Sequence, residues 1–387
     1  MKEGWRYEKL DDLGTIVTGA TPSTNDESNY FPKEYCFVKP SDLPLNGVGS
    51  IHETENYVSS KGLSVSRPLP AGSVLTTCIG TIGKVGLLLQ EGCTNQQINA
   101  VIPNNKINSR YLAYALLSIR KQLEFIANAP VVPIINKKSF SKIHIGYPPK
   151  PTQLSIVSEL DKLNELIRIK KEQLKDYDTL AQSIFYEMFG DPVENEKGWE
   201  VKTFGEIGTL ERGAGISKKD FVDDGLPCIH YGQLHTIFGA YTRKTITFIP
   251  KDLHPKYKIA YPGDLILAIT SEDVEGSCKS TAWLGNFDVV VGSDAAIFHH
   301  NQNGIYLSYY TRTKAFYNEK AKYAKGFKVT HISTKEIASI SICVPPLSIQ
   351  NTFANKIEQI ERQKTIIQES ITDLETLLAS RMQYWFD

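Results

Sequence analysis

Three carboxylates come nearest to a catalytic spacing: Asp264, Glu272 and Asp273. A metal-dependent nuclease needs carboxylates that converge on a hard cation, usually with a lysine beside them. Here no ExK or DxK follows. Residues 80–86, GTIGKVG, carry glycines and Lys84, but the spacing is wrong for a phosphate-gripping GxxxxGK loop and the run continues into Val85. The eight histidines form no HExxH, and GxSxG is absent. His299 and His300 follow a predicted strand and read as a loop pair. Gripping a flipped adenine takes an Asn/Asp-Pro-Pro-aromatic loop, and neither Tyr147-Pro148-Pro149 nor Asp191-Pro192-Val193 fits it. No motif encodes an enzyme by itself. A nuclease on Asp264, Glu272 and Asp273 is the one catalytic alternative.

Residue types that bind are better represented. Residues 312–328, RTKAFYNEKAKYAKGFK, hold Arg312, Lys314, Lys320, Lys322, Lys325 and Lys328 against the single acid Glu319. Cations neutralise phosphates and release counterions, and arginine can grip guanine O6 and N7 with two bonds. The bland alternative is a solvated amphipathic helix with Tyr317, Tyr323 and Phe327 facing the core. A thinner counterpart comprises Arg110, Arg120, Lys121, Lys137, Lys138 and Lys142. Asn95, Gln96 and Gln97 carry amides that could read adenine N6 and N7. The competing reading has them satisfy backbone groups in a turn. Lys84, Arg212, Lys218, Lys219, Arg243, Lys244 and Lys279 complete the set of candidate DNA contacts.

The elements that must position these residues occur twice. GWRYEKLDDLGTIVTGATPS opens at Gly4, and GWEVKTFGEIGTLERGAGIS opens at Gly198. Residues 148–189 lie without a gap on residues 345–386. A fixed internal repeat implies one structural unit used twice. In the first helical block Ile156, Leu160, Leu163, Ile167, Lys170, Leu174, Tyr177, Ala181, Ile184 and Met188 alternate steps of four and three. Phe353, Ile357, Ile360, Lys364, Ile367, Ile371, Leu374, Leu378, Arg381 and Trp385 do the same in the second. That is a coiled-coil seam. A Pro-Pro pair precedes each block and stops backward extension; Gly190 and Pro192 end the first. A helix from about 152 to 189 is roughly 55 Å long at ~1.5 Å per residue. Equal period and length favour the two helices packing antiparallel within one chain, the alternative being homodimerisation through each. Lys170 and Lys364 on the seam either set register or snorkel to its edge.

Between the helices, short apolar runs alternate with Gly, Pro and Asn. Strands are predicted at residues 73–79, 84–89, 97–102 and 142–147, with a helix at 109–127. The second block repeats the order: strands at 264–270, 288–292 and 295–299, a helix at 305–321 and a strand at 339–344. The fold class is therefore α+β, two similar globular domains with mostly β cores separated by two long helices. The division is 1–147, 148–190, 191–344 and 345–387.

Composition agrees. The chain has 387 residues, 41% apolar and 22% charged, as in soluble globular proteins. The first residues lack an apolar h-region, and no apolar run nears the ~20 residues of a membrane span. Six scattered cysteines form no CxxC pair and read as buried, reduced thiols of a cytoplasmic protein. The zero net charge hides 16 Lys+Arg against 12 Asp+Glu in residues 1–150 and 5 against 7 in residues 151–190. This weakens any expectation of strong non-specific nucleic-acid binding but leaves room for a local basic face.

The arrangement resembles the specificity (S) subunits of type I restriction-modification systems over essentially the full length. The likeness rests on Trp5 and Trp199, the run TNQQINAVIP at residues 94–103, Gln153 and Gln350 after the Pro-Pro pairs, and MFGDP at residues 188–192. It implies two target recognition domains, each reading half of a bipartite DNA site. The helices would act as spacer and dock two methyltransferase (M) subunits, and restriction (R) subunits would join. S-adenosylmethionine, ATP and Mg²⁺ would be bound by those partners and no cofactor by this chain. Thr152 and Ile349 stand where the family commonly has an acid, and GSDAAIFHH replaces TNQQINAVIP in the second copy. The competing class is a coiled-coil protein–protein adaptor that binds no DNA.

Overall fold

The structure, a computed structural model, describes residues 4–127, 132–252, 257–323 and 329–387. It divides into two compact units. One comprises residues 1–171 with 369–387, the other residues 172–368. Each unit holds one globular block and portions of both long helices, Lys150–Phe189 and Leu347–Phe386.

In the first unit, Arg6–Lys9 pairs antiparallel with His144–Tyr147. A five-stranded sheet runs in the order Gly14–Thr18, Ile98–Pro103, Val74–Thr77, Val85–Leu88, Val48–Ile51. Tyr57–Val58, Tyr35–Val38 and Gly92–Thr94 form a smaller sheet. The second unit repeats the scheme. Glu200–Thr203 pairs with Ser341–Val344, and the five-stranded order is Gly208–Arg212, Ala295–His300, Leu265–Ala268, Ser280–Trp283, Tyr241–Thr242. Val74–Thr77 and Leu265–Ala268 are central and wholly buried, as their unbroken apolar or β-branched runs require.

Two predicted helices are each broken. Residues 109–127 form Ser109–Ser118 and Arg120–Ile126, separated at Ile119, and Arg120 then donates to Leu45 O at 2.7 Å. Residues 305–321 form Gly304–Tyr310 and Lys314–Ala321. Thr311 and Thr313 donate their hydroxyls back to Ser308 O and Tyr310 O, and Thr313 caps the next helix at Phe316 N. Such side chains compete with the helix for its own backbone, which apolar spacing does not report. The strand predicted at 295–299 runs on through His300, so the histidine pair belongs to the strand Ala295–His300 and not to a loop.

The long helices pair antiparallel inside each unit. In the first, Glu159 binds Arg381 and accepts from Trp385 Nε1 at 3.0 Å, while Lys171 meets Glu375 at 2.7 Å. In the second, Lys364 reaches Asp178 at 2.7 Å and its own-helix Glu361 at 2.9 Å. Half-burial works against the Lys364 charge, but the two carboxylates hold it above the ordinary lysine range. Its ammonium thus sits at the edge of the seam on acidic partners. Ile156, Leu160, Leu163, Ile167, Phe353, Ile357, Ile360, Ile367 and Ile371 are buried; Leu174, Leu374 and Leu378 are half-buried.

Near the end of the first helix the buried stripe leaves the expected track. Ala181, Phe185 and Phe189 are buried, whereas Ile184 and Met188 are only half-buried. A straight helix drifts ~20° per heptad against a strict 3.5 repeat. The stripe thereby turns onto the globular core of the second unit. There Phe189 lies 4.7 Å from Tyr306 and 5.2 Å from Phe353 between ring centroids. In the first unit Phe386 sits against Tyr111 at 5.5 Å, with Trp5 and Trp385 on the same core.

The repeat extends to single hydrogen bonds. Wholly buried Gln153 accepts from Asn108 N–H at 2.8 Å and donates to Pro148 O at 2.9 Å. Gln350 accepts from Asn303 N–H at 3.0 Å and donates to Pro345 O at 2.8 Å. Tyr111 donates its hydroxyl to Gly146 O at 2.8 Å, and Tyr306 to Cys343 O at 2.7 Å. Each glutamine ties three segments: the Pro-Pro lead-in, the long helix and the cap of the globular helix. All six cysteines are free and buried, and burial pushes the Cys78 and Cys278 thiols up to about 12.

Gln350→Ala orphans the Asn303 N–H and the Pro345 carbonyl, a loss of about 1–3 kcal/mol. Denaturant unfolding of the full chain checks this; an unchanged midpoint would remove Gln350 from the role. Burial also depresses His300 to about 4 from an ordinary 6.5. The unfolded chain binds that proton first, so the His300 contribution is complete above pH 6.5 and is lost as pH falls toward about 4. The expected midpoint-versus-pH curve flattens in this window for His300→Gln; equal slopes for the two proteins would contradict the assignment.

Candidate nucleic-acid interface

The central strand of each five-stranded sheet ends where three other segments converge. In the first unit Cys78, just past Val74–Thr77, donates its N–H to Gln97 O at 2.8 Å and accepts from Ile135 N–H at 2.8 Å. Gly80 N–H bonds Pro133 O at 3.1 Å, and Gly83 N–H returns to Thr77 O at 2.9 Å. The glycine turn 80–83, the amide turn 95–97 and the stretch leading to Lys137 therefore meet at one sheet edge. In the second unit Ile269 occupies the same node. It donates to Asp294 O at 3.0 Å and accepts from Ile332 N–H at 3.1 Å, and Thr270–Ser271 pairs with Thr330–His331.

This edge has one backbone and two sets of side chains. In the first unit Asn95 is buried and spent on Gln97, donating to its Oε1 at 2.8 Å and accepting from its N–H at 3.1 Å. Asn95 thus closes the turn onto Gln97. Gln96 is exposed and takes only the Thr21 hydroxyl, at 2.7 Å, on its Oε1. Lys137 and Lys138 are exposed on the short helix Lys137–Ser141. In the second unit the edge carries exposed His331, whose Nδ1 lies 3.3 Å from Thr270 Oγ1, and His235, whose Nε2 is 3.1 Å from Thr270 O. Arg212 donates to Ser293 O at 2.7 Å and faces Asp294 at 3.7 Å. Sequence reading missed His331; its place in the repeat, three residues after Lys328 and just before Ile332, was the available signal.

Other candidates spend hydrogen bonds on the protein itself, although Arg243 and Arg312 remain exposed. Lys84 donates to Pro40 O at 2.9 Å and Lys279 to His235 O at 2.7 Å. Arg243 bridges Leu284 O and Glu358 on the second long helix, leaving Lys244 exposed beside it. The Arg312 guanidinium holds Ser308 O and Ser280 O at 3.1 and 2.9 Å. Lys320 is buried, with its ammonium on Glu275 O at 2.9 Å and Ser277 O at 2.5 Å. It pins the loop 271–280 and is not a free cation. Lys322 pairs with Glu319, whereas Lys314, Lys218 and Lys219 are exposed. Lys325 and Lys328 lie outside the described residues.

The carboxylates do not converge. Asp264 precedes the strand Leu265–Ala268, accepts from Tyr261 N–H at 2.6 Å and meets His299 Nδ1 at 2.8 Å. Glu272 and Asp273 follow that strand, which is roughly 13 Å long at ~3.3 Å per residue. Asp273 instead accepts from Gly276 N–H at 2.6 Å within its loop. Among the described residues no group of three or more His, Cys, Asp or Glu is placed to hold a metal ion, and no helix is long and apolar enough to cross a membrane.

A repeated α+β scaffold thus carries different polar side chains at the same backbone node in its two units. The family described as "Type I restriction modification DNA specificity domain" matches residues 2–176 and again residues 196–376, and the chain belongs to it. DNA sequence recognition is the function of this family, and the adaptor reading gains no support. The MjaIX specificity subunit of a type I restriction enzyme from Methanocaldococcus jannaschii is 23% identical over 376 residues, covering 92% of this chain and 86% of the relative. A chain solved in work on complex assembly and conformational transition of the type I R-M system aligns with a TM-score of 0.60 at 18% identity, over 100% of this chain and 98% of its own. The type I S subunit from M. genitalium aligns with 0.54 at 12% identity, over 99% and 96%. Both show that the fold is shared.

Lys320→Ala leaves the buried Ser277 carbonyl and the Glu275 carbonyl without this partner and should loosen the loop 271–280 at a cost of about 1–3 kcal/mol. Limited proteolysis should cut that loop faster, while the salt dependence of DNA binding stays that of the wild type. A reduced salt slope with unchanged proteolysis would return Lys320 to the phosphate contacts.

Proposed function

We propose that the chain is the DNA-reading subunit of a type I restriction-modification complex and that each globular block reads one half of a bipartite duplex target. The observation that carries this is the sheet-edge node built twice on the same hydrogen bonds with different side chains: Gln96, Lys137 and Lys138 in one unit, His331 and Arg212 in the other. A constant backbone bearing variable polar tips suits two unlike half-sites, because base edges differ in their donors and acceptors. Residues 1–147 and 191–344 are the two readers.

Residues 148–190 and 345–387 are the spacer. Each 40-residue helix is about 60 Å long at ~1.5 Å per residue, an upper bound of under ~18 base pairs on the separation of the half-sites. The helices also expose apolar residues at repeat-related positions, Ile169 with Ile366 and Leu180 with Leu377. A surface that recurs in this way fits a partner present in two copies, here the methyltransferase subunits; restriction subunits complete the assembly. S-adenosylmethionine, ATP and Mg²⁺ belong to those partners, and the complex works in the cytoplasm. Base recognition is this chain's share of the work, and bond-making and bond-breaking are theirs.

Selection from a random duplex pool by the chain with its methyltransferase partner should enrich two short blocks at one fixed distance. Inserting about 5 base pairs, half a helical turn, between the blocks should abolish binding. Lys137→Ala with Lys138→Ala should lower the log–log salt slope by up to roughly 2. Enrichment of a single block, or indifference to the insertion, would overturn the bipartite reading.

A further inference from the structure

The first unit gathers four large apolar side chains at the edge that carries Gln96 and the exposed lysines. Phe125 is 79% exposed, Val132 and Ile134 are each 50% exposed, and Ile126 is 39% exposed. Single exposed apolar residues are ordinary. These four are held together. Phe125 and Ile126 end the helix Arg120–Ile126, and Ile134 N–H bonds Ala127 O at 3.2 Å, closing the chain onto that helix end. Ile134 also bridges Ile79 beside the glycine turn, and Pro133 O accepts from Gly80. These backbone bonds place the four apolar side chains at one tip beside the glycine turn.

Its surroundings are cationic. Lys121 precedes Phe125 by four residues and shares its helix face, and Lys137, Lys138 and Lys142 follow Ile134. All four lysines are exposed and unpaired among the described residues. The sole acid in residues 120–142 is Glu124, and Arg120 binds it at 2.9 Å. Lysine is depleted in protein–protein contacts, which argues against a protein occupant. Apolar side chains flanked by bases are instead the means by which proteins pry apart stacked base pairs.

The second unit keeps one of these apolar positions and replaces others, with His331 where the first has Ile134 and Lys322 where it has Phe125. Val329 is 52% exposed and stands three residues before Ile332, as Val132 stands before Ile135, and both isoleucines make the same bond to the node. Tyr317, Lys314 and Lys322 are exposed in the same unit.

We propose that this tip is a wedge: Phe125, Val132 and Ile134 enter between two base pairs of the half-site read by the first unit, while Lys121, Lys137 and Lys138 hold the phosphates on either side. The inference rests on the DNA-reading function and adds to it a deformation of the duplex. It makes a specificity term at a step the polar side chains do not touch, because flexible pyrimidine–purine steps open more readily than others.

The test uses the full chain with its methyltransferase partner and the duplex that it selects from a random pool. 2-Aminopurine is placed at each position of each half-site in turn. One position in one half-site should brighten several-fold on binding, since unstacking relieves its quenching. A Phe125→Ser, Val132→Ser, Ile134→Ser triple variant should lose the brightening and bind roughly ten-fold more weakly, the scale of one lost stacking contact. Phe125→Leu should keep both properties, and the triple variant should melt with the wild type because all three side chains are exposed. No brightening at any position with the wild type, or brightening and affinity both kept in the triple variant, overturns the wedge and leaves sequence reading intact. If the wild type enriches no sequence at all, the DNA-reading function fails and the wedge fails with it.

Discussion

The structure depends on a pair of antiparallel helices whose apolar seams bury each other in two separate places. Ile156, Leu160, Leu163, Ile167 and Ile371 are buried in one unit, and Phe353, Ile357, Ile360 and Ile367 in the other. In a folded protein most of a helix's stability comes from burying its apolar face rather than from propensity. The same residues also face the globular blocks. Phe185 and Phe189 pack on Tyr306, and Phe386 packs on Tyr111, so that helix pairing and globular folding share one continuous core in each unit. A change that loosens the seam therefore reaches the sheets.

From that shared core outward, conservation between the two copies falls off with distance. At the helix lead-in the copies match bond for bond, through Gln153 and Gln350, Tyr111 and Tyr306, Asn108 and Asn303. At the central strand they match in backbone only, through Cys78 and Ile269. At the exposed edge the side chains differ, Gln96 against Ser293 and Ile134 against His331. The gradient has a physical cause. A buried amide that ties three segments admits few substitutes, whereas an exposed tip on a fixed node can change without cost to the core.

The cations follow the same logic. Lys320 and Lys322 are two residues apart in one basic run, yet the first is buried on two carbonyls and the second lies on the surface beside Glu319. Lys84 and Lys279 stand in corresponding loops of the two blocks, and both are consumed by backbone oxygens. A basic run in sequence thus overstates the charge available to a phosphate backbone, while Lys121, Lys137, Lys138 and Lys142 stay exposed around the apolar tip of the first unit.

The sequence alone determined the repeat, the seam and the α+β class, because these are periodic properties: steps of four and three, punctuation by Pro-Pro and Gly, and apolar runs in a fixed order. It also determined the family, through motifs in the same order twice. Only the tertiary structure decided which polar side chains are spent internally. Arg243, Arg312 and Lys320 find partners 32 to 115 residues away in the chain, and no local pattern encodes such pairings. It likewise decided the breaks at Ile119 and at Thr311 to Thr313, where hydroxyl back-bonding and a side chain turning to a distant carbonyl outweigh helical periodicity. The edge at Cys78 and Ile269 became visible only once strands nearly two hundred residues apart in sequence could be compared in space, since a site assembled from three loops has no signature in any one of them.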